Sequence, residues 1–467
     1  MGNGVGGSMK PVMTETNFIL ERIAANKDQP ALFWRGSTYD GDWLGKQVAQ
    51  DIELLRKEGI GPGSVVLLQG DYSPRNVSLL LALIQLRTIM APLLPASLAK
   101  MPALLDLVNP SFQVNAVTDE EPALKKHQQA EVHALIRTLQ DRGEPGLILF
   151  TSGSTGKPKG VVHDFGRLLQ KFQKPRPAMR TLNFLLFDHW GGLNTLLHCL
   201  SNNSSVVLPE NRTPDHICQL LEQHQVELLP ASPTFLNLLL LSRAYEGRDL
   251  SALRLITYGS EPMPGSTLAG LRKVFPNVEL RQTYGLIELG VLRAKSMSSD
   301  SLWVKVGGEG YDLRVVDGIL QIKADSAMLG YLNAPSPFTD DGYFITGDRV
   351  EINGDYMRFL GRDSELINVG GQKVFPAEVE AVLLACDLVG EAVVYGQPNP
   401  ITGKIVCADV QLRGSHDETE ARRAIKKFCA QRLDPFKVPV KIRFVYSGLT
   451  SDRLKRLRIG RDEPHQQ

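Results

Sequence analysis

Short β-branched runs alternate with longer amphipathic runs between about residue 60 and residue 275. Ser64–Gly70 has the continuous apolar pattern of a buried strand, and the periodicity of Asn76–Ile89 predicts a helix after it. Five further strand–helix pairs are predicted: Leu147–Thr151 with Gly166–Phe172, Phe184–Phe187 with Leu193–Leu200, Ser205–Leu208 with Thr213–His224, Val226–Pro230 with Thr234–Arg243, and Leu253–Tyr258 with Ser266–Phe275. Such alternation is typical of parallel βαβ units whose sheets are covered on both faces. We therefore expect an α/β fold.

The pattern changes after about residue 300. Leu302–Asp325 and Gly342–Leu360 contain short, closely spaced strands separated by turn signals such as Asp317-Gly318 and Asp341-Gly342. Turns of this kind join antiparallel strands. We expect a small, barrel-like β subdomain over about 302–361, which completes a large N-terminal domain over 9–361.

A compact unit of about a hundred residues is predicted at the C-terminal end, over 362–467. Its pattern gives helix, strand, strand, helix and strand at Pro376–Leu384, Glu391–Tyr395, Ile405–Gln411, Glu418–Arg432 and Lys441–Tyr446. The boundary at Arg362–Glu365 is short and charged, which favours a hinge between two domains over a loose linker. Met1–Ser8 (MGNGVGGS) precedes a second methionine and is interpreted as a remnant of an expression tag.

Composition excludes several classes of protein. The 467 residues carry a net charge of +1, so there is no basic excess of the kind that nucleic-acid-binding proteins show. The five cysteines are scattered and form no C-x-x-C pair, which fits a reducing compartment. The longest apolar run, Ser78–Leu94, is interrupted by Gln85 and Arg87 and is not a membrane span. We expect a cytoplasmic protein.

A loop rich in glycine and hydroxyl side chains follows the predicted strand at 147–151. Thr151–Gly160 reads TSGSTGKPKG and contains Lys157 and Lys159. Glycines let backbone N–H groups approach a polyphosphate closely, hydroxyls donate further hydrogen bonds, and lysines balance the charge. Pro158 stands where the P-loop of NTPases has Ser or Thr, so the sequence predicts a phosphate loop of another kind.

These ten residues resemble the signature (S/T)-S-G-(S/T)-T-G-x-P-K-G of the adenylate-forming superfamily of acyl-CoA synthetases, peptide-synthetase adenylation domains and luciferases. The resemblance extends over about residues 40–460, because the other signatures of the superfamily follow in order. It implies that the phosphates of ATP contact Thr151, Ser152, Gly153, Ser154, Thr155, Gly156 and Lys159. It also implies that Thr155 helps to hold a Mg²⁺ ion.

The second signature is Gln282–Glu288 (QTYGLIE), which resembles the superfamily segment (N/Q)-x-Y-G-x-T-E. Its first residue would contact the adenine amino group, its tyrosine would stack on adenine, and Glu288 would hold the Mg²⁺ that bridges the phosphates. The implied nucleotide contacts are Gln282, Thr283, Tyr284 and Gly285. Ile287 departs from the pattern, because most members have a phosphate-binding Thr there.

Three further segments complete the implied nucleotide site. Asp348, in Thr346-Gly347-Asp348, would accept hydrogen bonds from both ribose hydroxyls, and Arg362 would also reach the ribose. The backbone of Gly259, Ser260 and Glu261 would lie against adenine and the carboxylate of the acid.

The small domain carries the residues implied for domain movement and thiol entry. Ser364 occupies the hinge position, where the superfamily usually has Lys or Asp. Asn368–Glu380 resembles the segment that lines the thiol tunnel, with Gly370, Gly371 and Lys373. Near the C-terminus, Lys455 matches the lysine that bridges the acyl carboxylate and the α-phosphate. Leu454 replaces the usual glycine before it, and Arg453 offers a rival register.

The acid pocket is implied by Phe187–Gly192 (FDHWGG), which resembles the F-H-x-G-G stretch of the superfamily. His189 is the matching histidine if the glycines anchor the alignment. If Phe187 anchors it, Asp188 falls where amino-acid-activating members bind an α-ammonium. The implied lining residues are Asp188, His189, Trp190, Phe235, Gly259, Gly285 and Leu286, with His189 also taken as catalytic.

The resemblance implies an ATP- and Mg²⁺-dependent ligase. It would form an acyl-AMP and pyrophosphate from a medium-chain or aromatic acid and then pass the acyl group to coenzyme A. Two alternatives stay open: an enzyme that loads an acyl or amino acid onto the phosphopantetheine of a carrier protein, and a catalytically impaired nucleotide-binding homologue. Neither nucleic acid nor a membrane span is expected.

Overall fold

The computed structural model describes residues 16–117, 121–152, 158–447 and 449–450, with Ser152 described by its backbone alone. The α-helices of these residues are α1 (Phe18–Ala25), α2 (Gly41–Lys57), α3 (Pro74–Gln85), α4 (Pro95–Lys100), α5 (Ala103–Val108), α6 (Ala134–Arg142), α7 (Phe165–Gln173), α8 (Trp190–Ser201), α9 (Pro214–Gln223), α10 (Pro233–Ser242), α11 (Gly265–Val274), α12 (Pro376–Leu384) and α13 (Glu418–Ala430). No helix in this part of the chain is both long and apolar enough to cross a membrane.

The strands are β1 (Pro30–Trp34), β2 (Ser37–Asp40), β3 (Val65–Gln69), β4 (Ile89–Leu93), β5 (Phe112–Asn115), β6 (Ala123–Lys126), β7 (Gly146–Ser152), β8 (Pro158–Asp164), β9 (Thr181–Leu182), β10 (Val206–Val207), β11 (Leu228–Ala231), β12 (Leu255–Tyr258), β13 (Glu279–Gln282), β14 (Tyr284–Leu286), β15 (Gly290–Ser296), β16 (Val304–Gly307), β17 (Tyr311–Val316), β18 (Ile319–Ala324), β19 (Gly330–Tyr331), β20 (Phe344–Asn353), β21 (Tyr356–Arg362), β22 (Ile367–Val369), β23 (Gln372–Val374), β24 (Val389–Asn399), β25 (Gly403–Leu412) and β26 (Lys441–Phe444).

Two sheets, the first mainly parallel and the second mixed, build the first two thirds of the molecule. One has the order β13-β12-β11-β9-β10-β1-β2, and the other has the order β19-β8-β7-β4-β3-β5-β6. Helices cover the strands, and several begin at a capping side chain: Ser73 accepts from the backbone N–H of Asn76, and Ser232 accepts from that of Phe235. The predicted α/β class is confirmed.

Two local predictions are wrong. Phe184–Phe187 is not a strand, because the strand of this region is Thr181–Leu182 and the aromatic residues are buried in the turn before α8. The predicted helix Asn76–Ile89 is too long, since α3 ends at Gln85 and Ile89 begins β4. Both errors arise in continuous apolar runs, in which periodicity does not distinguish buried strand, helix and turn.

A third sheet is antiparallel and has the order β14-β15-β16-β21-β20-β18-β17. It begins at Tyr284, earlier in the chain than the closely spaced turn signals indicate. Its first hairpin, β14–β15, carries the predicted nucleotide segment, and the long hairpin β20–β21 carries Asp348 opposite Arg362. One sheet therefore carries residues from two separate segments that are predicted to bind the nucleotide.

The last sheet contains β22 to β26 and is packed against α12 and α13. Its hydrophobic cluster is built from its own strands and helices, with Val394, Val406 and Ile425 fully or almost fully buried. Asn237 of α10 donates to the carbonyl of Gly390 across the boundary with the rest of the chain, at 3.1 Å.

Candidate active site

The predicted phosphate loop joins two paired strands. Thr151 at the end of β7 lies opposite Lys159 of β8, and Ser152 lies opposite Pro158. The loop residues Gly153, Ser154, Thr155 and Gly156 lie outside the described residues, as does the side chain of Ser152. The side chain of Asn333 forms two hydrogen bonds to the backbone of β8. It accepts from the N–H of Gly160 at 3.0 Å and donates to the carbonyl of Pro158 at 2.9 Å.

Glu288, the predicted Mg²⁺ ligand, lies beside the base of this loop. Its Oε1 accepts a 2.8 Å hydrogen bond from the hydroxyl of Tyr331, and the Lys159 ammonium lies 5.1 Å from the centre of the same ring. The structure therefore brings the predicted metal-binding carboxylate and a predicted phosphate-binding lysine to one tyrosine. The Glu288 carboxylate also raises the pKa of the Tyr331 hydroxyl, although burial is the larger cause.

A buried histidine fixes the turn before Glu288. His163 of β8 hydrogen-bonds through Nε2 to the carbonyl of Ile287 at 2.6 Å. Burial lowers the pKa of His163 to about 4, so the ring is neutral at physiological pH and its Nε2 is the donor. The Ile287 side chain packs against two hydrophobic clusters, which explains how an apolar residue is accommodated where a Thr is usual.

Near the start of the Gln282–Glu288 segment, Tyr284 meets two further residues that are predicted to bind the nucleotide. The hydroxyl of Tyr284 donates to Oδ2 of Asp348 at 2.7 Å, and Nε of Arg362 lies 2.8 Å from Oδ1 of the same carboxylate. The Tyr284 ring is stacked on Phe359, with ring centres 4.5 Å apart and planes inclined by 15°. Burial raises the pKa of Asp348, and the positive charge of Arg362 opposes that rise.

Gln282 has an unused acceptor. Its side chain is buried, and its Oε1 has no hydrogen-bond partner among the residues that the structure describes. A buried amide oxygen without a partner costs about 1–3 kcal/mol, so a ligand that donates a hydrogen bond there would stabilise the site. An exocyclic amino group such as that of adenine is such a donor, so this residue fits the predicted nucleotide.

Two glycines of the predicted site, Gly259 and Gly285, allow neighbouring segments of the chain to approach closely. A Cβ at Gly259 would lie 2.6 Å from the Thr283 hydroxyl, and a Cβ at Gly285 would lie 2.8 Å from the carbonyl of Gly290. Ser260 has a φ of 69°, in the left-handed region. Glu261 accepts a 2.6 Å hydrogen bond from Thr234 at the start of α10.

The residues predicted for the acid pocket surround the start of α8. His189 is the N-cap of this helix, and its Nδ1 accepts from the N–H of Gly191 at 3.1 Å. Asp188 is buried, and its Oδ2 accepts from the Ser97 hydroxyl at 2.7 Å. The buried Trp190 packs edge-on against Phe165, and its Nε1 has no hydrogen-bond partner in the described part of the chain.

The remaining predicted pocket residues lie on neighbouring elements. Phe235 is fully buried in a hydrophobic cluster and packs against Phe184 with ring centres 4.3 Å apart. Leu286 is half-buried at the end of β14. Trp190 lies close to the β14–β15 hairpin, because a Cβ at Gly290 would be 3.5 Å from its Nε1.

The predicted hinge is a short 3₁₀ turn, Asp363–Glu365, in which Ser364 is exposed. Arg349 of β20 donates to Oδ1 of Asp363 at 2.7 Å and so connects the turn to the antiparallel sheet. The predicted tunnel residues Gly370, Gly371 and Lys373 lie on the exposed β22–β23 hairpin. In the described structure, the Lys373 side chain hydrogen-bonds to none of the predicted nucleotide residues.

Lys455 and Arg453 lie outside the described residues, but the chain leading to them is placed as far as Thr450. The Thr450 hydroxyl donates to Glu391 at 3.2 Å, in a crevice that Thr234 of α10 also lines. Since Thr234 also bonds Glu261, the described chain ends beside the segment predicted to contact the acid.

Sequence reasoning missed three residues that position this site: Tyr331, His163 and Phe359. Tyr331 and Phe359 lie outside the superfamily signatures in the sequence. His163 follows the phosphate loop by three residues, and its position in a buried strand was the one available signal. Within the described ranges, no three His, Cys, Asp or Glu side chains are grouped so as to hold a metal ion.

Comparison with known proteins places the chain in a family. Residues 19–318 match the model of the AMP-binding enzyme family, and residues 378–454 match that of the AMP-binding enzyme C-terminal domain. The 2-succinylbenzoate–CoA ligase of Bacillus velezensis is 30% identical over 345 residues, 68% of each chain. The indoleacetate–CoA ligase of Aromatoleum aromaticum is 29% identical over 345 residues, 68% of this chain and 65% of that protein.

The fold is also that of solved ligases. The o-succinylbenzoate CoA synthetase of Bacillus subtilis, in complex with its acyl-adenylate intermediate, superimposes with a TM-score of 0.76 at 21% identity, covering 97% of this chain and 99% of that one. The fold and the site thus define an adenylate-forming ligase. The chain belongs to the AMP-binding enzyme family.

Proposed function

We propose that the protein activates an aromatic carboxylic acid with ATP and transfers the acyl group to coenzyme A. A carboxylate oxygen attacks the α-phosphorus, a P–O bond forms, and pyrophosphate leaves with the bonding pair of the broken anhydride bond. The thiolate of coenzyme A then attacks the acyl carbon, and AMP leaves. The observation that carries the proposal is that the β14–β15 hairpin bonds Asp348 through Tyr284 and, at its turn, bonds the Lys159 strand β8 through the carbonyl of Ile287.

The residues have separate tasks in the first step. Asp348 would accept hydrogen bonds from the ribose hydroxyls, which is compatible with its present partners because a carboxylate has about four acceptor sites. Gln282 would accept from the adenine amino group. Lys159 would balance the charge of the phosphates, and Glu288 would hold a Mg²⁺ ion that neutralises the departing pyrophosphate. These contacts position the reactants, and positioning supplies much of the rate enhancement of phosphoryl and nucleotidyl transfer.

Lys455 would stabilise the charge that develops between the acyl carboxylate and the α-phosphate. It lies five residues beyond Thr450, and five residues span at most about 17 Å when fully extended. Rotation of the 362–467 domain about the hinge at 362–365 would then withdraw Lys455 and bring the hairpin with Gly370, Gly371 and Lys373 to the acyl adenylate.

The aromatic class of acid is favoured by the relatives, which are named for 2-succinylbenzoate and indoleacetate. Beside the start of α8, the aromatic side chains of Trp190 and Phe165 are buried. The Asp188 carboxylate accepts from Ser97 and, like any carboxylate, has further acceptor sites, so an amino acid substrate stays an alternative.

The test is acid-dependent exchange of labelled pyrophosphate into ATP, without a thiol, across aromatic, fatty and amino acids. We expect exchange with aromatic acids, and then acyl transfer when coenzyme A is added. Transfer to a phosphopantetheine-bearing carrier protein but not to coenzyme A would overturn the proposed acceptor. Absence of exchange with every acid, while ATP still binds, would overturn the proposed reaction in favour of a nucleotide-binding homologue.

A further inference from the structure

A buried asparagine on α10 forms a hydrogen bond to the small domain. Asn237 is the one polar residue between Phe235 and Leu241, in a stretch that is otherwise apolar. Asparagine is a weak helix former, and a buried amide is unfavourable unless it is hydrogen-bonded. Its Nδ2 donates to the carbonyl of Gly390 at 3.1 Å, and its Oδ1 accepts from the hydroxyl of Thr267 on α11 at 3.4 Å. The amide therefore has partners on both sides of the domain boundary.

The acceptor carbonyl lies at an irregularity in its own sheet. Strand β24 advances two residues, from Val389 to Glu391, where its partner β25 advances by one, so Gly390 is the extra residue of a β-bulge. A bulge takes one residue out of the regular hydrogen-bonding pattern of the ladder. The carbonyl of this residue is buried and accepts from Asn237. Both partners are thus irregular within their own elements and are matched to each other.

The crevice around this bond also holds the end of the described chain. Asn237 lines it together with Leu449 and Thr450, which precede Lys455 in the sequence. Leu449 is buried, and the Thr450 hydroxyl donates at 3.2 Å to Glu391, the residue that follows the acceptor carbonyl. The hydrogen bond from α10 therefore lies next to the residue that holds the segment leading to Lys455.

The same helix contacts the segment predicted to lie against the acid. Thr234 precedes Asn237 on α10 by about one turn, so the two side chains lie on neighbouring positions of the helix surface. The Thr234 hydroxyl donates to Glu261 at 2.6 Å. The orientation that the structure shows therefore places the chain leading to Lys455 beside the predicted acid segment, as acyl-AMP formation requires.

We propose that Asn237 is a positioning residue that holds the 362–467 domain in the orientation for acyl-AMP formation. The inference rests on the proposed function, because it assigns a residue to the rotation proposed there. Rotation about 362–365 would break the bond to Gly390 and expose the amide to water. Since water replaces the lost partner, one such bond shifts an equilibrium by only about 2- to 10-fold. This favours one orientation but still allows the domain to rotate in every turnover.

The experiment measures the two half-reactions separately in the wild type and in Asn237→Ala. Pyrophosphate exchange without a thiol reports acyl-AMP formation, with 2-succinylbenzoate, indoleacetate or benzoate, whichever supports the fastest exchange. Release of AMP from the corresponding acyl-AMP and coenzyme A reports thiol transfer. Because each half-reaction proceeds from one orientation, the ratio of thiol transfer to exchange follows the equilibrium between the two. We expect this ratio to rise about 2- to 10-fold in Asn237→Ala.

A second variant keeps the size of the side chain. Asn237→Asp retains an acceptor for the Thr267 hydroxyl but replaces the donor with a carboxylate that faces the Gly390 carbonyl. At pH 8 this charge is buried in the orientation shown and exposed after rotation, so the rotated orientation is favoured. The ratio should rise at least as far as in Asn237→Ala, and this variant decides the question if Asn237→Ala does not fold.

Two controls separate orientation from stability. Thr267→Val removes the partner of Asn237 within the large domain and should leave the ratio within about twofold of the wild type. Asn109→Ala is the matched truncation, because the Asn109 side chain accepts from the N–H of Ala130 and donates to the carbonyl of Glu131, far from the boundary in sequence. Its ratio should stay within about twofold even if its melting temperature falls.

An unchanged or lower ratio in both Asn237 variants would overturn the inference. Equal loss of both half-reactions would also overturn it, since this is the result expected of an asparagine that only stabilises the fold. A rise in Asn109→Ala as large as in Asn237→Ala would show that the ratio follows stability, with the same consequence. Absence of both half-reactions in the wild type would instead overturn the proposed function.

Discussion

The Tyr331 hydroxyl donates a 2.8 Å hydrogen bond to Oε1 of Glu288, although the two residues lie 43 positions apart in the chain. Tyr331 belongs to the two-residue strand β19, which pairs with β8. Strand β8 is the one that leaves the phosphate loop. The contact therefore sets the position of the predicted metal-binding carboxylate relative to the strand that carries Lys159. A residue outside the sequence motifs thus positions a residue within one.

Tyr331→Phe should weaken the use of Mg²⁺. A hydrogen bond to a charged group contributes about 1.5–3 kcal/mol, so we expect the Mg²⁺ concentration for half-maximal pyrophosphate exchange to rise about 10-fold. Tyr343→Phe is the matched control, because its hydroxyl bonds the exposed carboxylate of Asp312 away from this site. An unchanged Mg²⁺ dependence in Tyr331→Phe would show that Glu288 needs no such support.

The affinity for ATP should depend on the protonation of Asp348. Burial raises the pKa of this carboxyl, while Arg362 and the Tyr284 hydroxyl oppose the rise. The ionised form is the better acceptor for ribose hydroxyls, so kcat/KM for ATP should fall on acidification at a higher pH than for an ordinary Asp. Tyr284→Phe removes one opposing hydrogen bond and should move this fall to still higher pH.

The control for that profile is Asp348→Asn. It cannot ionise, so its kcat/KM for ATP should be low and should lack the acidic limb that Asp348 causes. The profiles are measured with a saturating acid substrate from pH 5 to 8. An identical acidic limb in wild type, Tyr284→Phe and Asp348→Asn would exclude Asp348 as the titrating group.

His163 should make the fold sensitive to mild acid. Its pKa is about 4 in the folded chain, because of burial, against about 6.5 when unfolded. Between these values the unfolded chain binds more protons, so stability is complete above about pH 6.5 and is lost as the pH falls towards 4. A difference of about 1.4 kcal/mol per pKa unit predicts a loss of about 2 kcal/mol between pH 7 and 5 from this residue.

Urea unfolding of His163→Gln at pH 7 and 5 measures this contribution. The variant should be less stable at pH 7, because a buried ring is replaced, but should lose about 2 kcal/mol less than the wild type on acidification. His133→Gln, at an exposed position, is the control and should follow the wild type. Equal losses in all three proteins would show that His163 titrates normally.

Lys455→Ala should separate the two half-reactions. Loss of a cation from developing charge typically costs a factor of about 10²–10³, so pyrophosphate exchange should fall by that factor. Thiolysis of supplied acyl-AMP should continue at close to the wild-type rate, because Lys455 acts in the first step. If Arg453→Ala shows this behaviour and Lys455→Ala does not, the assignment moves to Arg453.

The motifs predicted which residues to search for but not all of their surroundings. The motifs predict Tyr284, Asp348 and Arg362 from separate segments, and the structure brings Tyr284 and Arg362 within hydrogen-bonding distance of Asp348. Phe359 and Tyr331 were not named, because a packing partner is defined by pairing of distant strands. The Phe184–Phe187 strand was wrong for a related reason, since burial alone does not specify a backbone conformation.

The sequence by itself determined the order of elements and the chemistry of the motifs, because strand–helix alternation and glycine-rich loops are local properties. It could not determine the environment of Lys171. Its spacing on α7 is that of an ordinary amphipathic helix, and only the packing of α7 against α8 and β15 removes it from water beside Arg176 and Arg293. The tertiary structure decided this, because the cost of a charge depends on its neighbours in space and not on its place in the chain.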